Sequence, residues 1–359
     1  MSRHHLVMIT AHMRCPLAFG FAVKVMGQPG LKSNDARRWQ NEPHLSVSLG
    51  YLQRIFDYLE QNQISMYRMS SDIAPYVTHP DMPQFHDQIR ACSIELQELG
   101  ARAKTQGLRL SFHPSQFIVL NSPEPALVRK SIADLEAQAA MLDCMELGPE
   151  AVVVTHVGGV YGDKRSGRDR WVATYERLPE PVRRRLVLEN DDTRFSSADI
   201  INIHERTGVP LIFDYQHHWC NNPEGWEVRP ALERCIRSWP TGVRPKIHYS
   251  SPRTEMRTVK RVIPGTRRTE TAQIPPIWTG HADYLNPFEF ITFMRLADEL
   301  DFDVMIEAKL KDLALLRIRR DLLRYAPDVA QRFGLDSAAL HAIEAEGVES
   351  AEAEAEHVE

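Results

Sequence analysis

One event recurs along this chain: an apolar run of strand length ends in a side chain that can ligate a metal. LRLSFHP ends in His113, AVVVTHVGG in His156 and RLVLEND in Glu189. VPLIFDYQHH presents Asp214 and then His217, with His218 left without a ligand role; PKIHYSS holds His248 and FDVMIEAK holds Glu307. The loops YVTHP and HADY add His79 and His281. Neutral imidazoles and carboxylates suit Zn, Mn or Fe(II). These nine candidates exceed the needs of one tetrahedral ion and suffice for two or three ions if a carboxylate such as Glu189 bridges. Two ions spaced about 4 Å apart stabilise both the attacking and the leaving oxygen of a phosphodiester and activate water at neutral pH.

A single histidine at a strand end is more often a satisfied polar residue than a ligand, so the recurrence carries the reading. Glu189 and Glu307 carry more than any one imidazole. A carboxylate after an apolar strand is costly to bury without a cation or hydrogen-bond partners. His4, His5, His12, His44, His86, His204, His341 and His357 lie near a terminus, in loops or on helices, and are read as surface residues.

Other residues would serve a phosphate-bearing substrate. Lys246 and Lys309 each stand two residues from a candidate ligand, His248 and Glu307, hence on the same face of a strand. Gln116 and Phe117 open the loop after His113, where an amide beside an aromatic can wedge into a base stack. Gly158 and Gly159 either admit a phosphate close to the backbone or form a turn. Basic stretches at 14–38, 164–170 and 253–268 fall on loops that would surround the metals. A basic rim around a metal cluster suits a phosphate-bearing polymer.

The elements that must position these groups follow from period. LVMIT, residues 6–10, is the candidate first strand, with a long irregular stretch over 11–48. Leu52, Ile55, Phe56 and Leu59 fall at i, i+3, i+4 and i+7 on a helix. Strand and helix then alternate about eight times, with a basic insertion over 251–278 after the seventh strand. Alternation implies parallel strands with crossover helices, and eight units make a (β/α)8 TIM barrel the leading fold. An open doubly wound sheet ranks second. In such barrels the site lies at the C-terminal ends of the strands, which is where the candidate ligands fall. The barrel is expected over residues 1–325, followed by a C-terminal extension, 326–359, whose acidic tail is expected to be disordered.

Composition adds exclusions. Of 359 residues, 43% are hydrophobic and 25% charged, with a formal net charge of −5, so the surface as a whole does not coat nucleic acid. A local basic face is still allowed. Five scattered cysteines without CxxC spacing argue for reduced thiols rather than a disulfide framework or zinc ribbon. With no signal-like N-terminus and no apolar run of about 18 residues, the expectation is a cytoplasmic protein without a membrane partner.

YVTHP, SFHPSQF, THVGGVYG, LVLENDD, FDYQHH, PKIHYSS, HADY and MIEAK, in this order over residues 50–315, resemble the UV damage endonuclease family. The resemblance implies a (β/α)8 barrel related to endonuclease IV-type nucleases. It implies a protein that binds a cluster of divalent metals, commonly Mn²⁺, and nicks double-stranded damaged DNA 5′ of a UV photoproduct, leaving a 3′-hydroxyl and a 5′-phosphate; the chain is expected to be a monomer. It implies one ion on His113, His156 and Glu189 with His79 nearby, a second on Glu189, Asp214, His248 and Glu307, and a third on His217 and His281. Lys246 matches an active-site lysine that can be carboxylated. Gln116 and Phe117 match the pair that probes the duplex, where the family usually has Gln-Tyr. The family's first strand commonly ends in a Gly-Tyr pair; Ala11 and His12 stand in that region here. The alternatives are a metal-dependent sugar isomerase or epimerase on the same kind of barrel, and a non-enzymatic DNA-binding protein on a retired one.

Overall fold

The computed structural model describes residues 15–336. Eight parallel strands form one sheet: β1 Phe19–Ala22, β2 Met66–Arg68, β3 Arg109–Phe112, β4 Val152–His156, β5 Leu186–Glu189, β6 Leu211–Ile212, β7 Lys246–Tyr249 and, after an inserted hairpin of β8 Arg257–Val262 and β9 Thr269–Ile274, β10 Asp303–Ile306. Neighbours pair in chain order from β1 to β6, and β10 joins β7 to β1. The ring closes between β6 and β7 through a parallel bridge from Asp214 to His248. A (β/α)8 barrel results, as the alternation predicts.

The first strand departs from the sequence-based expectation. β1 is FGFA, not LVMIT, which lies outside the described residues, as does the acidic tail. FGFA lies in a stretch rich in proline and glycine, and the longer apolar run upstream outweighs it. β1 does hold a Gly–aromatic pair, Gly20–Phe21. Phe21 is fully buried, edge-on to Tyr67.

Helices cover the outside. α1 Leu45–Gln61 buries the stripe of Leu52, Ile55, Phe56 and Leu59, and the His44 imidazole caps its start by accepting from the Ser46 amide at 3.2 Å. α2 Gln88–Ala91, α3 Ser93–Thr105, α4 Pro125–Cys144, α5 Lys164–Tyr175 and α6 Glu180–Arg183 follow. α7 Ser197–Thr207 starts at a capping box of Ser196 and Asp199 and stops at Gly208, φ 73°, where only glycine is unstrained. α8 Tyr215–Cys220, α9 Val228–Arg237, α10 Pro287–Leu296, α11 Lys311–Tyr325 and α12 Pro327–Arg332 complete the shell. The packing continues past Tyr325, for Val329 and Ala330 are buried and Phe333 stacks on Phe19 with ring centroids 4.5 Å apart.

Alternation along the strands sorts the barrel interior into layers. On β3, Leu110 and Phe112 face the helices while Arg109 and Ser111 face inward; on β7, Lys246 and His248 face inward. The floor is a buried ion pair, Arg109 to Asp303 at 2.7 Å, with the guanidinium over the Trp239 ring. Val152, Val154, Val187, Ile212 and Trp239 form a separate apolar cluster. Above them sits Lys246, whose Nζ donates to the Ser111 hydroxyl at 3.1 Å. The next inward positions belong to His113, His156, Glu189, His248 and Glu307.

Candidate metal centre

Seven predicted ligands converge at the C-terminal mouth, in three overlapping donor groups: His113, His248 and Glu307; His113, His156 and Glu189; and Glu189, Asp214 and His217. Glu189, the last residue of β5 and fully buried, is the centre. Its Oε2 lies 3.0 Å from His113 Nε2 and 3.8 Å from His156 Nε2. Its Oε1 lies 2.9 Å from His248 Nδ1 and 3.6 Å from His217 Nδ1. One carboxylate therefore presents an oxygen to each of two histidine pairs, the arrangement a bridging ligand requires. Glu307 follows β10, with Oε1 3.3 Å from His248 Nδ1.

The imidazoles are oriented as ligands are. Nδ1 of His113 faces the Pro114 carbonyl at 3.1 Å, that of His217 the Asn190 carbonyl at 3.0 Å, and that of His281 the Glu307 carbonyl at 2.6 Å. At His113 the backbone acceptor at Nδ1 fixes the tautomer and leaves Nε2, the nitrogen that faces Glu189, unprotonated for a metal. Burial pushes His113, His156 and His248 below the usual histidine range, toward the neutral form that binds metal.

The carboxylates divide. Burial would raise Glu189, but His248, His156 and His113 outweigh it and hold the group well below the usual range. Burial raises Glu307 likewise, and Arg68 and His248 reverse the shift. At Asp214 the balance reverses: burial, joined by the Glu189 and Glu307 charges, outweighs His217 and pushes it up to about 7. Burial pulls His217 down, yet Asp214, Glu189 and Glu307 around it lift it to about 9. Among the described residues Asp214 Oδ2 is buried without a partner, and His156 Nε2 and His248 Nδ1 both face the Glu189 carboxylate. Orphaned buried acceptors are rare in folded proteins. Divalent cations would satisfy this donor set, so the residues fit a metal cluster.

Other predicted residues fall nearby or away. His281 stays outside the three groups, with Nδ1 3.8 Å from Glu307 Oε2. His79 belongs to none of them; it lines a cavity shared with His113, and its Nδ1 accepts from the Asp81 amide at 3.3 Å. Gln116 lines a cavity of ≈ 200 Å³ with His156, Gly158, His217 and His281, while Phe117 is 71% exposed on the rim. Lys246 is fully buried, and burial with the neighbouring Arg109 and Arg68 charges holds its amine well below the ordinary lysine range. Lys309 is exposed, because the chain has left the strand after Ile306, so it does not share the face of Glu307. Gly158 has φ +112° and packs against Asn121, which accounts for it as a turn residue. The 164–170 stretch is helix, not loop: Lys164 and Arg168 both pair with Asp199.

Two contributors carry no site signal of their own in the sequence. Arg68, at the end of β2, is ion-paired with Glu307. Its inward direction follows from alternation with Tyr67, which packs in the outer core. Asn190 clamps the Asp214 backbone on both sides, accepting from its amide at 2.9 Å and donating to its carbonyl at 3.1 Å. It follows Glu189 directly in LVLEND, and that adjacency is its only mark. His218 points away, bonded to the Ser197 hydroxyl and the Trp226 carbonyl.

Comparison with known proteins identifies the family. The family model described as UV-endonuclease UvdE matches residues 45–332. The UV DNA damage endonuclease of Bacillus pumilus is 36% identical over 262 residues, covering 73% of this chain and 76% of that protein. Its counterpart in Bacillus velezensis is 33% identical over 272 residues, covering 75% and 78%. The crystal structure of SacUVDE superposes with a TM-score of 0.70 at 29% identity, covering 86% of this chain and 98% of that one. A D-tagatose 3-epimerase-like protein, at 12% identity and a TM-score of 0.52, shares the fold alone. With its site built at the same strand ends that its sequence motifs mark, this chain belongs to the UV-endonuclease family.

Proposed function

We propose that this chain is a metal-dependent DNA repair endonuclease. It nicks double-stranded DNA immediately 5′ of UV photoproducts, leaving a 3′-hydroxyl and a 5′-phosphate, and works as a cytoplasmic monomer. The observation that carries the reading is the convergence of three donor groups through Glu189 and His113 at the barrel mouth. Family membership supports it. Two or three divalent ions, Mn²⁺ before Zn²⁺, would be held by His113, His156, Glu189, Asp214, His217, His248, His281 and Glu307, and would supply polarisation of the phosphate and ionisation of water near neutral pH.

The chain's own groups do the rest. Glu189 joins the two sides of the cluster. His217 and Asn190 fix the position of Asp214. Lys246 lies beneath the ligands, where it donates to Ser111, and is the candidate for carboxylation. His79, on the cavity that reaches His113, is assigned to the reacting end of the substrate. Gln116 and Phe117 stand on the rim, where an exposed ring can stack on a displaced base.

The test is nicking of a duplex carrying one defined photoproduct, set against abasic and undamaged duplexes, with and without Mn²⁺ and with Glu189→Gln. Mn²⁺-dependent cleavage 5′ of the photoproduct, abolished in the variant, is expected. A variant that nicks as well as its parent would overturn the assignment of Glu189.

A further inference from the structure

The hairpin between the seventh and eighth barrel strands belongs to no part of the barrel. Among the described residues β8 and β9 pair only with each other, antiparallel, from Arg257 opposite Ile274 to Val262 opposite Thr269. Residues directly opposite share a face. One face carries Val259, Ala272 and Ile274, all partly buried, and the Arg261–Glu270 ion pair. The other carries Thr258, Lys260, Val262, Thr269, Thr271 and Gln273, and every one of them is exposed. It has three threonine hydroxyls, an amide, an ammonium and no carboxylate. The tip adds Arg267 and Arg268, both exposed.

The charge is lopsided. Residues 253–270 hold six basic and two acidic side chains in a chain whose formal net charge is −5. Arg253 pairs with Asp283 and Arg261 with Glu270. Arg257, Lys260, Arg267 and Arg268 have no ion pair among the described residues.

The stem is fixed to the rim of the metal centre. Pro252 bridges to His281, the Arg253 amide donates to the Gly280 carbonyl at 2.7 Å, and the Ala282 amide donates to the Ser251 carbonyl at 2.9 Å. Gln216, on the helix that carries His217, donates to the Trp278 carbonyl at 2.7 Å and accepts from the Ser250 hydroxyl at 2.6 Å. The hairpin therefore starts where the substrate backbone must pass and points from there into solvent.

We infer that this hairpin is a β-ribbon arm that lies against the duplex flanking the damaged site. Its exposed polar face and basic tip meet the phosphates and the groove, and it lengthens the footprint of the enzyme. The inference rests on the proposed action on duplex DNA. A two-stranded ribbon has the width that a major groove admits. Strands of six residues reach about 20 Å, which spans about six base pairs at ~3.4 Å each.

The test uses the full chain in two variants. One is the triple substitution Lys260→Ser, Arg267→Ser and Arg268→Ser; the other replaces residues 257–274 with a Gly-Ser pair and keeps the stem. Binding to a long photoproduct duplex is measured from 50 to 200 mM salt, with hydroxyl-radical footprinting and single-turnover nicking at saturating protein. The triple variant is expected to bind roughly tenfold or more weakly at physiological salt, with a slope of log K against log salt shallower by about 2.7 if three phosphate contacts are lost. The excised variant is expected to lose about six base pairs of protection on one side of the lesion only. Nicking at saturation should match the parent in both. Unchanged salt slope and footprint in both variants would overturn the arm while leaving nicking by the parent intact. A parent that neither binds nor nicks any duplex would overturn the underlying function as well.

Discussion

Asp214 and His248 form the backbone bridge that closes the barrel, and both side chains belong to the candidate metal centre. The His248 amide donates to the Phe213 carbonyl at 3.0 Å, at the one junction where β6 and β7 are not paired as strands. Barrel closure and metal affinity therefore meet at one place.

Asp214→Asn separates the two. Asparagine keeps an acceptor for the His217 amide, which Asp214 holds at 2.7 Å, and removes a buried carboxylate with an orphaned oxygen. Metal affinity should fall by at least the ~10–100-fold that loss of an outer-shell partner costs. Melting in chelator should be no lower than for the parent. A clear drop in the metal-free melting temperature would mean that Asp214 is there for closure rather than for metal.

Metal should stabilise the parent. A ligand that binds only the folded state contributes about 2.7 kcal/mol per site at a hundredfold excess over its Kd. Titration of the chelated protein with Mn²⁺ should raise the melting temperature in a saturable way, and Glu189→Gln should blunt the rise. An unchanged melting curve across the titration would argue against a folded-state metal site.

Phe117→Ala should leave stability unchanged, because the ring is exposed. Base–aromatic stacking is worth about 1–3 kcal/mol. Affinity for a photoproduct duplex should fall roughly 5–150-fold, with a smaller loss on undamaged duplex. Equal losses on both duplexes would make Phe117 a general contact rather than a probe.

Gly20→Ala should damage the barrel itself. A Cβ there would meet the Met66 carbonyl of β2 well inside contact distance, and backbone cannot yield as a flexible side chain can. Overpacking costs about 1–3 kcal/mol and more where backbone is struck. A denaturant midpoint matching that of the parent would show that β1 and β2 leave room for a methyl group between them.

Asp143 offers a pH test away from the metals. Burial raises its carboxyl, and Arg184 and Arg185 outweigh this and hold it below its ordinary value. Arg185 also donates to the carbonyls of Leu147, Gly148 and Ala151, tying β5 to the loop before β4. A depressed folded pKa gives stability that is present above the unfolded value near 3.9 and lost as pH falls through the folded one. Asp143→Asn should cost about 1–2 kcal/mol at neutral pH, at the lower end because the carboxylate is partly exposed. The difference should vanish in acid below the folded pKa. A pH-independent loss would point to packing instead.

Much of the centre is legible in the residue pattern alone. In LVLE and KIH a two-residue period on an apolar run fixes which side chains turn inward, so Glu189 and His248 follow from local pattern. The same holds for His156 at the end of VVVTH. Parallel alternation then places those ends at one mouth. Local pattern fails where two apolar runs compete for one strand. FGFA of β1 lies in a stretch rich in proline and glycine, downstream of a longer apolar run, so pattern alone points to LVMIT as the first strand. Lys309 shows a second failure, since period-2 counting holds only while the chain remains a strand.

The sequence by itself determined the (β/α)8 order and the residues that could bind metal, because both depend on residue types spaced within a few positions. Tertiary structure alone decided the rest. Whether Glu189 faces two histidine pairs, whether Arg68 reaches Glu307 and whether Asp214 closes the ring opposite His248 depend on pairs far apart in the chain. No local rule sets a distance between such pairs; the register of parallel strands does.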